Sequence, residues 1–292
     1  MYTVLMIAMA LQDPMIMTVR TLNPGLHVVS GFANGNILAV EAPDQVLLVD
    51  AQSAKRVGLA DSALRTVTTK PVRRVIFTHY HDDHTSGMDH WRSHGATAIA
   101  HRTVPSQMTK DTLIADWDGW HRTPAQATAM PDLVLTDSMV LSLGTRTVVL
   151  RHVPGAHTDG DVMVWIPEEN LLHVGDLVEP GAPPFIDWWT GGSVDGMIAA
   201  ADLILSRSDE QTRIVPGHGE VFSRAVVLEH RRMLVTIRDR VSAGIRNGRT
   251  LEEIQGTTPA REYEDLLGGS RGASRFVRQV HYGLSRTHRS PQ

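Results

Sequence analysis

Cysteine is absent from all 292 residues. That excludes disulfides, thiolate-bound zinc, iron–sulfur clusters and any cysteine nucleophile. It leaves the redox compartment open, since a chain without thiols is stable in either. Lysine is nearly absent too: Lys55, Lys70 and Lys110 are the whole set. No apolar run reaches the eighteen or so residues that a membrane span requires, so no membrane-embedded segment is expected. Internal repeats, low-complexity tracts and charge blocks are missing, as are a P-loop, an H-E-x-x-H helix and a C-x-x-C pair. The formal net charge of −4 offers no basic surplus for a broad nucleic-acid surface. What the chain does have is histidine, 15 residues of it, and the question is whether their positions are organised.

The first eleven residues, Met1 to Leu11, are almost all apolar, and Ala8-Met9-Ala10 has the A-x-A form of a signal cleavage site, although no Lys or Arg precedes it. Residues 1–16 are therefore set apart as an N-terminal segment, either a frayed end or first strand, or the remnant of a signal. A periplasmic or secreted address is favoured over the cytoplasm. Short apolar and alternating runs follow at Leu26–Ser30, Ile37–Glu41 and Val46–Asp50, with Asn34-Gly35 as a hairpin turn between the first two. A helix is expected over 53–69, a strand at Arg74–Thr78, a helix over 85–94 and a strand at Thr97–Ala100. The stretch 104–131, with Trp117, Trp120, His121 and three prolines, reads as a mobile helical insertion. Strands resume at Leu133–Leu135, Val140–Leu143, Thr147–His152, Val162–Ile166 and Leu171–Val174; then come a helix over 193–206, a strand at Arg213–Val215 and a long helix over 220–245. Two β-rich blocks, each followed by helices, predict an α/β protein in which two sheets pack together with helices outside, a four-layer arrangement over residues 17–245. Residues 246–292 are polar and Arg-rich, with helical stretches at 250–255 and 273–284, and read as a C-terminal helical extension.

The histidines are organised around Thr78-His79-Tyr80-His81-Asp82-Asp83-His84, an H-x-H-x-D-H pattern lying directly after a strand and before a helix. Residues two apart on extended chain point to the same side, so His79 and His81 can grip one metal. Asp83 and His84 follow as the chain turns and can reach a second. Further ligand types sit at later strand ends: His157 in Val153-Pro154-Gly155-Ala156-His157, Asp176 in His173-Val174-Gly175-Asp176, and His218 in Val215-Pro216-Gly217-His218-Gly219. Each is flanked by glycine, which permits sharp turns and close backbone approach. Five histidines and two carboxylates suffice for two metals with room left for water, the open arrangement of a catalytic site. His173 reads as a packed neighbour of the site, and His101 is ambiguous. His27, His90, His94, His152, His230, His281 and His288 are assigned no task.

Taken in order, THYHDDH, PGAHTDGD, VGD and PGHG resemble the metallo-β-lactamase superfamily over roughly residues 20–235. The resemblance implies the αββα sandwich. It also implies a ligand assignment: His79, His81 and His157 on one metal, Asp83, His84 and His218 on the other, and Asp176 between them. The implied cofactors are two divalent ions, zinc first, with iron or manganese as alternatives. A looser similarity, carried by Pro184-Phe185-Ile186-Asp187, Gly191–Gly196, Thr250–Ile254 and Arg275–Val280, is to a bacterial, often exported subgroup of β-lactamase-like or quinoprotein-associated metallo-hydrolases.

The chemistry expected of such a site is hydrolysis. Water shared by two cations ionises near neutral pH and can attack the carbonyl of a small amide, lactone or (thio)ester, β-lactams among them. Asp83 would orient the nucleophile and carry a proton to the leaving atom. Tyr80 would donate to the developing oxyanion, or else face outward. An aspartate at position 176 sets the chain apart from the cysteine-bearing β-lactamases and resembles the lactonase and thioesterase pattern. No lysine is available nearby for a substrate carboxylate. Phe185, Trp188, Trp189 and His121 are the candidate substrate contacts, forming with Trp117 and Trp120 an apolar aromatic pocket for a small molecule. Two other classes are an iron-dependent redox enzyme on the same ligands and a phosphodiesterase or nuclease, the latter disfavoured by the acidic balance. The expected partner is a small-molecule substrate, with neither nucleic acid nor membrane; a homo-oligomer is compatible with the sequence.

Overall fold

The computed structural model describes residues 16–31, 35–115 and 117–287. The signal reading of Met1–Leu11, the turn residue Asn34 and His288 lie outside them. Chain order runs β1 (Thr18–Asn23), β2 (Leu26–Ser30), β3 (Ile37–Glu41), β4 (Val46–Val49), α1 (Val57–Leu64), β5 (Val72–Ile76), α2 (Asp82–Thr85), α3 (Met88–Ser93), β6 (Thr97–His101), α4 (Val104–Met108), β7 (Thr112–Ile114), β8 (Trp120–Arg122) and β9 (Leu133–Leu135). The second half holds β10 (Ser138–Leu143), β11 (Arg146–Val153), β12 (Asp161–Ile166), β13 (Leu171–His173), α5 (Val194–Ser206), β14 (Arg213–Val215), α6 (Arg224–Arg246), α7 (Leu251–Gly256) and α8 (Gly269–Thr287). Strands β1 to β6 and β9 form one sheet in that order, and β10 to β14 form the second.

The layering follows from side-chain alternation. On β3 and β4, Leu38, Val40, Leu47 and Val49 point to the second sheet, where they meet Val148, Leu150, Val164 and Leu171. Their neighbours Ile37, Ala39, Val46 and Leu48 point the other way, onto Ala60, Leu64, Met88 and Trp91 of α1 and α3. Because both faces are covered, these strands read as continuous apolar runs rather than alternating ones. The second sheet repeats the scheme: Met163, Leu172 and Ile214 face α5 and α6. Helices α7 and α8 join that same cluster through Ile254, Phe276, Val277 and Val280, so the C-terminal helices share a core with the domain.

The structure differs from the sequence reading at four places. β1 was not anticipated; its TVRTLN is largely polar and buries no residue fully, as befits an edge strand with one neighbour. The expected helix over 53–69 is confined to Val57–Leu64, and the helix at 273–284 grows to Gly269–Thr287. The segment 104–131 is not chiefly helical: it holds the single-turn α4, the β7–β8 hairpin and a 3-10 turn at Ala127–Ala129. Asp118-Gly119 takes positive φ at both residues (54° and 69°), the turn of a tight hairpin and not of a helix.

The topology gathers strand ends. β4 and β5 are parallel. β11 is antiparallel to β12 and β12 to β13, so β11 and β13 run the same way, and β14 is parallel to β13. The carboxyl ends of these strands carry Asp50, the His79–His84 segment, His157, Asp176 and His218. Hydrogen bonds lock the two sheets together at this rim: Val162 N–H donates to Thr78 O (2.7 Å) and Asn36 N–H to Gly217 O (2.6 Å). The Asn36 amide also donates to Pro216 O (3.0 Å).

Candidate metal centre

All seven expected ligands meet at the rim, in two groups of donor atoms. His79, His81, His157 and Asp176 form one, and Asp83, His84 and His218 the other. In the first, His81 Nδ1 lies 3.0 Å from His79 Nε2 and 3.1 Å from His157 Nε2. Asp176 Oδ2 is 3.5 Å from His79 Nε2 and 3.6 Å from His157 Nε2. In the second, His84 Nε2 and His218 Nε2 are 3.2 Å apart, and Asp83 Oδ2 is 3.1 Å from the latter. Asp176 faces this group as well, with Oδ1 3.5 Å from His84 Nε2 and Oδ2 3.6 Å from His218 Nε2.

These spacings fit metal ions. Donors held about 2.0–2.2 Å from a tetrahedral zinc ion stand roughly 3.3–3.6 Å from one another. Asp176 Oδ1 is buried with no hydrogen-bond partner, an orphan acceptor that a cation would satisfy. The charge balance says the same. Burial lowers the Asp176-facing imidazoles His79, well below its ordinary value, and His157, to about 4, so both are neutral donors. Burial also pulls His218 down, but Asp176 and Asp83 outweigh it and hold it up at about 10. The second group thus draws positive charge, which a divalent ion would supply.

Four of the ligand histidines have their second ring nitrogen engaged. His79 Nδ1 meets Thr78 Oγ1 (3.0 Å), His84 Nδ1 meets Asp50 Oδ2 (2.8 Å), His157 Nδ1 donates to Phe185 O (2.7 Å) and His81 Nε2 meets Asp187 Oδ2 (3.2 Å). Asp50 and Asp187, both fully buried, were not singled out from the sequence. Such partners fix tautomer and ring orientation. Gly217 allows the close approach: a Cβ there would stand 1.9 Å from Asp176 Oδ1.

A cavity of about 350 Å³ opens beside the two groups, lined by His81, Asp82, Asp83, Trp120, His121, Arg122, Asp176, Glu179, Phe185 and His218. Phe185 and His121 stand where substrate contacts were expected, although His121 Nε2 is taken by Asp111 (2.7 Å). Trp188 and Trp189 do not line it. Trp188 is buried against Trp117 (5.0 Å between centroids) and Tyr282 (5.3 Å), and Trp189 backs Trp120 (5.0 Å). Nor is the pocket apolar: Asp82 and Glu179 join the two ligand carboxylates. Burial and the nearby Asp176 push Glu179 up to about 8. Glu179 was missed because a lone acid three residues beyond Asp176 carries no pattern. The cation of the pocket, Arg122, is bound to Asp82 (2.9 Å).

Tyr80 also departs from expectation. Its ring is buried rather than outward, and its hydroxyl donates to Asp187, not into the cavity. It braces the carboxylate that orients His81.

The chain belongs to the metallo-beta-lactamase superfamily of hydrolases, whose family model matches residues 30–218. It is similar to an acyl-coenzyme A thioesterase of Bos taurus, 27% identical over 176 residues, which cover 56% of this chain and 62% of that protein. It is also similar to the metallo-beta-lactamase type 2 of Bacteroides fragilis, 25% identical over 187 residues, or 64% of this chain and 67% of that one. The chain thus spans about three-fifths of the length of the thioesterase relative. Among solved structures, a metallo-beta-lactamase from Pontibacter korlensis covers 75% of this chain with a TM-score of 0.61 at 16% identity, matched over 98% of its own length. A sec-alkylsulfatase from Pseudomonas sp. covers 91% of this chain and half of its own (50%), with a TM-score of 0.68 at 17% identity. These two likenesses are of fold. Among the described residues no helix is long and apolar enough to cross a membrane.

Proposed function

We propose that the chain hydrolyses a small thioester or related ester at a centre of two divalent ions. The observation that carries this reading is the convergence of both donor groups on Asp176, beside a cavity of about 350 Å³. His79, His81 and His157 would hold one ion, Asp83, His84 and His218 the other, with Asp176 facing both. When bound, such ions polarise a carbonyl and make water acidic enough to ionise near neutral pH.

The chain's own residues do the rest. Phe185 and Trp120 wall the cavity on one side and position the acyl group. Asp83, with its side chain 40% exposed, is reachable from the cavity; with Oδ2 facing the His84 and His218 donors, its other oxygen orients water and passes the proton on to the leaving sulfur or oxygen. Across the reaction a carbon–oxygen bond forms, the carbon–sulfur bond breaks, and the thiol takes the proton. The named activity of the thioesterase relatives supports this class. A β-lactam is disfavoured because its carboxylate would enter a cavity lined by Asp82, Asp83, Asp176 and Glu179, four carboxyl groups against the one arginine, whose Nε is held by Asp82.

Purified protein should contain close to two divalent ions per chain by emission spectroscopy. In parallel assays it should hydrolyse a thioester faster than a lactone, and both faster than a β-lactam, a sulfate ester or a phosphodiester. Fastest turnover of the phosphodiester, or one redox-active iron with a visible absorption band, would replace this reading.

Tyr80 supplies a sharper test of roles. Tyr80→Phe should cost about 1–2 kcal/mol of stability, the worth of one buried hydrogen bond, and leave kcat within about threefold. An oxyanion donor would instead lose about a hundredfold in kcat, so a fall of that size would return Tyr80 to the catalytic groups.

A further inference from the structure

A second and larger cavity, of about 890 Å³, lies against α8 and is lined by Trp117, Asp118, Pro183–Phe185 and residues of α7 and α8. Its chemistry is the reverse of the metal cavity's. Arg271, Arg275 and Arg278 line it against the single carboxylate of Asp118, in a chain whose net charge is −4. The three arginines are spaced four and three apart, which stacks them on one face of the helix. Residues 269–287 contain no Asp or Glu to offset them.

The arginines are only partly committed. Arg275 and Arg278 share Asp118 at 3.3 and 3.8 Å and lie over the Trp117 ring at 4.2 and 4.7 Å. That stacking holds the guanidinium planes in place. Arg278 Nε is buried yet has no hydrogen-bond partner, a donor that lacks an acceptor. Arg271 is exposed at the cavity mouth.

The two cavities share a wall. Phe185 lines both, its ring 5.8 Å from that of His81 on one side and 5.9 Å from that of Trp117 on the other. Phe185 is thus the one residue that a molecule would pass in reaching from the metal-ligand group to the arginines.

We propose that this cavity binds the phosphorylated carrier portion of the substrate, so that the enzyme acts on acyl groups borne by a phosphate-containing thiol or alcohol. Fixed guanidinium forks match phosphate oxygens in geometry and charge. The acid-rich metal cavity repels the same anion and so sets the polarity of binding. This rests on the hydrolase reading for the acyl end but not for the anion end, and the two are tested separately.

The probe for the anion end is adenosine monophosphate, titrated calorimetrically into the metal-loaded protein, with adenosine as the uncharged control. The nucleotide should bind and adenosine should bind at least about tenfold more weakly, the worth of one charge-assisted contact. Arg271→Glu should weaken the nucleotide by about tenfold or more, whereas Asp176→Ala should retain it. No binding, equal binding of adenosine, wild-type affinity in Arg271→Glu, or loss in Asp176→Ala with retention in Arg271→Glu would each overturn the proposal; the last would place the anion on the metals. For the acyl end, the kcat/KM preference for a coenzyme A thioester over an uncharged thioester should fall about tenfold in Arg271→Glu, mainly through KM. An unchanged preference would overturn the carrier assignment. Absence of all acyl hydrolysis alongside nucleotide binding would defeat the hydrolase reading and leave the anion site standing.

Discussion

Asp176→Ala is expected to remove both metals together. No other ligand faces both donor groups: its Oδ2 lies 3.5–3.6 Å from His79, His157 and His218, and its Oδ1 3.5 Å from His84. Without it, each group keeps only three protein donors, and His84 and His218 lose one of the carboxylates that draw positive charge to them. Metal content should fall from near two ions per chain to below one, and hydrolysis by roughly three orders of magnitude, the scale on which transition-state charge stabilisation is lost. Emission spectroscopy and kcat/KM on the same preparation decide the matter. Two ions per chain with activity within tenfold of wild type would show that Asp176 serves neither.

Asp50 is expected to give the next largest effect, although it touches no metal position. It lies fully buried, accepts from Thr78 N–H at 2.7 Å and Thr78 Oγ1 at 2.9 Å, and holds His84 Nδ1 at 2.8 Å. Asp50→Ala orphans these donors and should cost about 2–4 kcal/mol in denaturant unfolding. It should also lower metal affinity about 10–100-fold. Asp50→Asn separates the two effects. The amide oxygen still accepts from Thr78 N–H, but the NH₂ in place of Oδ2 faces Thr78 Oγ1 as well as His84 Nδ1 and costs that hydroxyl its acceptor; asparagine tolerates the positive φ of 68° found there. Its NH₂, however, donates to His84 Nδ1, which forces the proton onto Nε2, the atom that faces the metal position. Asp50→Asn should therefore cost less stability than Asp50→Ala, about 1 kcal/mol for the one hydroxyl left without its acceptor, while losing the ion of the Asp83, His84 and His218 group. Full metal content in Asp50→Asn would show that the tautomer of His84 is not set by residue 50.

The seven candidate ligands were legible in the sequence because they sit in short turns that follow strand ends. The spacing H-x-H-x-D-H needs no tertiary information, and glycine marks the turns around His157, Asp176 and His218. The two apolar blocks carried the layering for the same reason: a strand covered on both faces has nowhere to place polar residues. What was hidden depends on contacts between distant residues. Asp187 reaches His81 across 106 positions and Asp50 reaches His84 across 34. A partial signal existed for Asp50, which ends the run Val46–Val49 as Asp176 follows β13. The aromatic residues misled in a different way. Phe185, Trp188 and Trp189 fall within five residues of sequence, but an irregular chain turns each side chain differently, and of the three only Phe185 reaches a cavity wall. Tyr80 lies in a bend between His79 and His81, where no strand alternation operates, and its hydroxyl is turned to Asp187.

Each donor group draws on both sheets. His81 and His157 are 76 positions apart, His84 and His218 134. A bound ion therefore acts as a clasp on the tertiary fold, closing long loops much as a disulfide would in a chain that has no thiols to make one. Since the unfolded chain offers no preformed site, every gain in ion affinity is also a gain in folding free energy. A chelator would accordingly loosen the seam between the halves as well as silence the site, and metal supply during synthesis would set how much of the protein reaches its native state.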